Sequence, residues 1–220
     1  MTNAHFSLRT ILWVCLFSIA FAFVEASVVV YLRAIYYPEG FEFPLRLMTN
    51  SHLWVELTRE AATIVMLGAA GYLSGRQAWE RFGYFLLAFG VWDLFYYVWL
   101  RVTLCWPTSL TDWDVLFLLP LPWIGPVIAP VLISLVMMIC GVTIIIRLAR
   151  GLFFHPPSIS WILASVATLI LLYSFMRDIP ATLHREMPKP YEYPFLIVVL
   201  LLYGSAMFVA CRRPVPRLEP

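Results

Sequence analysis

Six apolar stretches, separated by short polar segments, divide the chain. A helix of about 20 predominantly apolar residues crosses the hydrocarbon core of a bilayer. On that criterion the sequence predicts transmembrane helices over residues 10–32, 52–74, 82–104, 122–146, 158–176 and 193–211. The last three predicted helices contain no Asp, Glu, Lys or Arg, whereas ionisable residues interrupt each of the first three. We therefore predict an all-α, polytopic integral membrane protein in which residues 1–220 form one six-helix domain.

Composition supports this class and excludes others. Hydrophobic residues make up 62% of the chain and charged residues only 13%, whereas about 25% of residues are charged in soluble domains. The net charge of +2 is small and scattered, so nucleic acid is not expected as a partner. Glycine-rich phosphate loops, CxxC and HExxH are all missing from the sequence. The lipid bilayer is the expected partner, and no cofactor is assigned.

Basic residues near the helix ends predict the orientation. Eight lie on one side of the predicted helices and six on the other. The eight are Arg9, Arg76, Arg81, Arg147, Arg150, Arg212, Arg213 and Arg217, and the six are Arg33, Arg46, Arg101, Arg177, Arg185 and Lys189. The second side also has longer and more acidic loops. We therefore expect both termini in the cytoplasm and the protein in a bacterial inner membrane.

The second predicted helix has the best-defined polar pattern. His52, Glu56 and Glu60 are spaced by four residues and so share one helix face. Arg59 is adjacent to Glu60 and one turn from Glu56. The pattern fits three arrangements: ion pairs with Arg59, a carboxyl that holds a proton, or a divalent metal bound by His52, Glu56 and Glu60.

Two further carboxylates lie within the neighbouring helices, Glu25 in the first and Asp93 in the third. A charge at the centre of a membrane helix costs roughly 2.5–3.5 kcal/mol, so each needs a partner, a proton or water. Packing of the first three helices would bring four carboxylates together with one embedded cation. The predicted proton- or cation-binding residues are Glu25, Glu56, Arg59, Glu60 and Asp93. Arg33 and Arg101, at the predicted outer ends of the helices, are candidates to reduce this excess of negative charge.

Tyr97 and Arg101 follow Asp93 at intervals of four and share its helix face. We consider them, together with His52, as supporting residues of the site. An Asp93–Tyr97 hydrogen bond explains this pattern structurally, and a proton relay explains it functionally.

The outer loops, residues 33–51, 105–121 and 177–192, are rich in proline and aromatic residues. Aromatic rings favour the headgroup region, so these loops fit an interfacial belt or, alternatively, a lid over the charged cluster. Four prolines, Pro120, Pro122, Pro126 and Pro130, lie at the start of the fourth predicted helix. They indicate a kinked helix entry or a re-entrant turn that lines a cavity.

Three functions follow from the charged cluster. The first is binding of a proton or cation at an outward-facing site, coupled to transport or sensing of a small solute. The second is a non-catalytic subunit of a larger membrane complex or of a homo-oligomer, in which the charges form ion pairs. The third is an intramembrane enzyme that acts on a lipid or isoprenoid by acid–base or metal-dependent chemistry.

Overall fold

The structure is a computed structural model that describes residues 2–41, 43, 48–119, 122–178 and 186–212, with side chains from residue 8 onward. These residues form six helices and one β-hairpin. In chain order the elements are α1 (Thr2–Tyr36), α2 (Asn50–Ser74), α3 (Ala78–Leu104), β1 (Trp113–Phe117), β2 (Trp123–Pro126), α4 (Ile128–Ala149), α5 (Ser158–Met176) and α6 (Tyr193–Arg212).

Five of the six described helices are long and apolar enough to cross a membrane: α1, from Leu8 onward, and α3 to α6. The predicted helical, multi-pass class is therefore confirmed. Helix α2 has 25 residues but does not belong to this group, since Glu56, Arg59 and Glu60 lie within five positions of one another. Its crossing of the membrane stays a prediction.

Helix α3 lies at the centre of the polar region because it packs against α1, α2 and α4. Apolar residues of α1 and α3, including Val14, Ala22 and Leu87, form the largest buried cluster. Helices α1 and α2 make little direct contact with each other. They therefore diverge from a shared support on α3 and leave space between them.

Glycines bring α3 and α4 close together. A Cβ atom on Gly90 of α3 would lie 2.6 Å from the carbonyl oxygen of Ser134 in α4, and one on Gly141 of α4 would lie 2.5 Å from that of Gly83. Both distances are shorter than Cβ contacts tolerate. Small residues at helix interfaces permit this backbone approach in membranes, where close packing replaces the hydrophobic effect.

Helices α5 and α6 pack mainly against each other. Ala167, Leu171 and Val199 form the centre of their interface. The hairpin connects this pair to the rest of the chain, because Trp123 of β2 stacks on Phe175 of α5 with ring centroids 6.3 Å apart.

The prediction of a helix from residue 122 is wrong at its start. Residues 123–126 pair antiparallel with β1, with Trp113 opposite Pro126 and Val115 opposite Ile124, and α4 begins at Ile128. Proline lacks a backbone donor and favours extended backbone before it, so Pro126 disfavours helix over these residues. Pro130 lies in the first turn of α4, where its missing N–H breaks no helical hydrogen bond.

Helix α1 continues past its predicted end at residue 32 and includes Arg33 and Tyr36. Tyr37 precedes Pro38, and a residue before proline disfavours helical backbone, which explains the end of α1. Helix α1 also begins earlier than predicted, at Thr2, and α3 begins at Ala78. The extension of α1 places Arg33 on the same helix as Glu25.

Candidate functional site

A cavity of about 280 Å³ lies between α1, α2, α3, the hairpin and the segment that follows α1. All five of the sequence-predicted binding residues are on its wall. The ionisable Glu, Asp and Arg side chains that line it are Glu25, Arg33, Glu56, Arg59, Glu60, Asp93 and Asp114. Of these, five are carboxylic acids and two are arginines.

Helical spacing explains which side chains of α1 and α2 reach the cavity. Glu25, Val29, Arg33 and Tyr36 recur at intervals of three or four residues and form one face of α1. Glu56 and Glu60 do the same on α2, and both are buried. The cavity thus fills the space that the diverging helices α1 and α2 leave between them.

Arg59 joins α1 to α2 by pairing with two carboxylates. Its guanidinium forms ion pairs with Glu25 of α1 and with Glu56, one turn away on α2; the Arg59 Nε to Glu56 Oε2 distance is 2.9 Å. Thr63 donates a further hydrogen bond of 3.2 Å to Glu25. Two acids share one cation, so the group retains one negative charge when both are ionised.

Glu60 connects α2 to the end of the first hairpin strand. The backbone N–H of Leu118 donates to both carboxylate oxygens at 3.0 Å, and that of Leu119 donates to Oε2 at 3.2 Å. These donors come from backbone that has left the β1 ladder. The side chain therefore fixes the hairpin over the cavity, as the lid interpretation of this loop requires.

Asp93 connects α3 to α4. Ser134 donates a short hydrogen bond of 2.6 Å to Asp93 Oδ2, and Ser134 itself is almost completely buried. The expected Asp93–Tyr97 hydrogen bond does not form; Tyr97 instead interacts with Asp114 of the hairpin. Asp93 and Tyr97 both line the cavity, but they have different partners.

Arg33 and Asp114 form a second buried ion pair, at 3.2 Å between Nη2 and Oδ1. The Arg33 guanidinium also lies over the rings of Phe41 and Trp106, at 4.2 and 3.7 Å from their centroids. Burial raises the pKa of Asp114 to about 6, although Arg33 and Tyr97 both lower it. This contact holds β1 against the C-terminal end of α1.

Sequence reasoning considered Asp114 only as one more acidic residue of an outer loop. The available signal was local: Asp114 lies in the run Trp113-Asp114-Val115-Leu116-Phe117, where a single acid interrupts apolar residues. Such a run is typical of a short buried strand, and a buried acid in it needs a cation.

Arg101 and His52 do not take the roles considered for them. Arg101 is exposed and donates to the carbonyl oxygens of Cys105 and Pro107 at 2.5 and 3.0 Å, so it caps the end of α3. His52 is exposed, and its Nδ1 shares a hydrogen bond of 2.6 Å with the Tyr36 hydroxyl.

The suggested metal ligands His52, Glu56 and Glu60 contact three different partners: Tyr36, Arg59 and the hairpin backbone. Across residues 8–41, 43, 48–119, 122–178 and 186–212, no group of three or more His, Cys, Asp or Glu side chains is arranged to hold a metal ion.

Charge balance separates the carboxylates of the cavity into two groups. Glu25, Glu56 and Asp114 each pair with an arginine. Glu60 and Asp93 have no basic side chain within 4.0 Å among the residues that the structure describes. Both accept hydrogen bonds from neutral donors instead. These two are therefore the carboxyl groups at which a proton or a bound cation would neutralise the negative charge.

Comparison with known proteins assigns no function to this arrangement. No protein family, no curated protein and no solved structure matches the chain.

Proposed function

We propose that the cavity binds a proton or a cation and couples this binding to transport or sensing of a small solute. The observation that carries the proposal is the pair of cavity carboxylates, Glu60 and Asp93, that lack an arginine within 4.0 Å in the described part of the chain. A carboxylate at membrane depth needs a counter-charge or a proton. At these two positions no described basic side chain is close enough to form an ion pair, although Arg59 attracts Glu60 from a greater distance.

The charge balance of the whole cavity supports the same function. Among the residues that the structure describes, five carboxylic acids and two arginines line it, so full ionisation of these seven groups leaves an excess of three negative charges. A low-dielectric site with that excess attracts cations and favours protonation. In proton-coupled and cation-coupled transporters, intramembrane acids of this kind mark the ion pathway.

Orientation and location belong to the proposal. The bias of basic residues favours cytoplasmic termini in a bacterial inner membrane. Loop 105–112 and the hairpin then lie on the outer side, and the cavity beneath them faces outward. In this arrangement α2 crosses the membrane as the sixth span of a single domain, with its charged residues turned towards the cavity.

Ion binding to the purified protein tests this function. We would measure the thermal unfolding temperature and the release of protons while titrating pH, Na⁺, K⁺, Mg²⁺ and Ca²⁺, for the wild type, Glu60→Gln and Asp93→Asn. We expect wild-type binding that weakens by about tenfold or more in both variants, because each loses one unpaired charge.

Glu192→Gln is the matched control, since Glu192 is an exposed carboxylate paired with Arg177 away from the cavity. Circular dichroism and size-exclusion chromatography verify that the variants fold. Wild-type ion binding in both folded cavity variants would contradict the proposal.

The subunit function is the second candidate, because the polar contacts of the cavity also suit a structural role. The described polar contacts of the cavity join separate elements: α1 to α2 through Arg59, α2 to the hairpin through Glu60, and α3 to α4 through Asp93. Such contacts serve assembly as well as binding. Native mass spectrometry of mildly extracted protein distinguishes the two, because a subunit would carry a stable mass from other chains.

A further inference from the structure

The wall of the cavity is mostly apolar and aromatic, apart from its charged groups. Val29 and Leu32 of α1, Leu53 of α2 and Val115 and Leu116 of the hairpin line it. Its volume of about 280 Å³ approaches the range of about 300–1,000 Å³ that is typical of small-molecule pockets. A single inorganic ion would leave most of this space empty, and no three of the described His, Cys, Asp or Glu side chains are grouped to bind one. Hard cations prefer six or more oxygens.

Aromatic rings add a second feature that suits an organic cation. Trp92, Tyr96, Tyr97 and Phe117 line the cavity beside Asp93. Ring faces carry partial negative charge and attract ammonium groups, most strongly when water is excluded. Arg33 provides an internal precedent at the same site, since its guanidinium lies over the rings of Phe41 and Trp106.

We infer that the ligand of this cavity is an organic ammonium ion with an apolar body. The inference rests on the proposed function and narrows its cation to one chemical class. Glu60 and Asp93 attract the ammonium group, and the body contacts the apolar wall.

Two probes of nearly equal shape test the inference. The first is (2-phenoxyethyl)trimethylammonium, whose charge does not depend on pH. The second replaces the ammonium nitrogen with carbon and is neutral. Isothermal titration calorimetry on the purified wild-type protein gives the dissociation constants.

We expect the first probe to bind at least about tenfold more tightly than its neutral analogue, since a desolvated ammonium gains both carboxylate and ring contacts. Glu60→Gln and Asp93→Asn should weaken binding of the charged probe and leave the dissociation constant of the neutral probe unchanged. Glu192→Gln should bind both probes as the wild type does.

The outcomes separate this inference from the function on which it rests. Equal binding of the charged and neutral probes would overturn it, because the cavity would then select only apolar bulk. Binding of protons or inorganic cations without binding of the ammonium probe would also overturn it, while the proposed function would stand. If neither kind of cation bound, both would be wrong.

Discussion

Two of the cavities in the described part of the chain are similar in size, but their walls differ in polarity. The polar cavity of about 280 Å³ lies between α1, α2, α3 and the hairpin, and seven described Glu, Asp and Arg residues line it. The other, of about 360 Å³, lies between α3, α4, α5, α6 and the segment around Phe154, and none of its described lining residues is Asp, Glu, Lys or Arg. Its few polar groups include Thr168 and Tyr203, which bond to each other at 2.8 Å.

The difference shows how the two regions are held together. Apolar side chains gain little from packing against other helices rather than against lipid, because lipid chains are equally apolar. Helices there must associate by close packing, which the glycines of the α3–α4 interface permit. Around the polar cavity, buried ion pairs and charge-assisted hydrogen bonds join helices that have little direct contact, as between α1 and α2.

The comparison predicts the largest loss of stability for substitution of Arg59. Arg59→Met leaves Glu25 and Glu56 buried without their cation, and loss of one partner of a buried ion pair costs about 3–5 kcal/mol. We expect a large fall in the thermal unfolding temperature of the purified protein. A Glu25→Gln and Glu56→Gln double substitution in the same background should restore part of that loss.

Arg177 provides the matched control for Arg59. It pairs with Glu192 at the surface, and exposed pairs contribute little because water screens them. Arg177→Met should leave the unfolding temperature almost unchanged. Equal effects of the two arginine substitutions would show that the cavity ion pairs do not stabilise the polar region.

The next effect is a pH dependence at the hairpin. Burial raises the pKa of Asp114 from its ordinary 3.8 to about 6, so the folded protein binds this proton more tightly than the unfolded chain does. The proton therefore stabilises the folded state by about 3 kcal/mol. This stabilisation is fully present below the ordinary pKa of 3.8 and is lost as the pH rises through about 6.

Unfolding temperatures measured from about pH 4 to about pH 8, on either side of the Asp114 pKa of about 6, test this dependence. Relative to Asp114→Asn, the wild type should lose stability as the pH rises and should level off once Asp114 is ionised beside Arg33. A difference between the two proteins that does not vary with pH would contradict burial of this carboxyl.

The smallest effect concerns the close packing of α3 against α4. Gly141→Ala places a methyl group against the carbonyl oxygen of Gly83, and overpacking of this kind costs about 1–3 kcal/mol. Gly204→Ala in α6 is the control, because a Cβ there meets nothing within 4 Å. The control should be neutral or slightly stabilising, since alanine favours helix by up to about 1 kcal/mol. If both substitutions behaved alike, the glycine contact would not hold the two regions together.

Residue spacing alone identified much of the candidate site. The i, i+4 pattern placed Glu56 and Glu60 on one face of α2 correctly, and the embedded acids Glu25 and Asp93 do line the same cavity. Spacing failed for Arg101 and His52, which share those helix faces but lie near the helix ends and are exposed. Periodicity gives the direction of a side chain, whereas its partner depends on what packs opposite that face.

Sequence by itself predicted the multi-pass helical class, the approximate positions of the six helices, and an excess of embedded acids over embedded bases. Those properties depend on local composition, because hydrocarbon requires about 20 apolar residues per span and penalises every charge within one. Only the tertiary structure decided that residues 113–117 and 123–126 pair as two strands beside the cavity, that Arg33 pairs with Asp114, and that no described arginine lies within 4.0 Å of the Glu60 or Asp93 carboxylate. These contacts join residues far apart in the sequence, and three-dimensional packing alone fixes which of several equivalent polar groups meet.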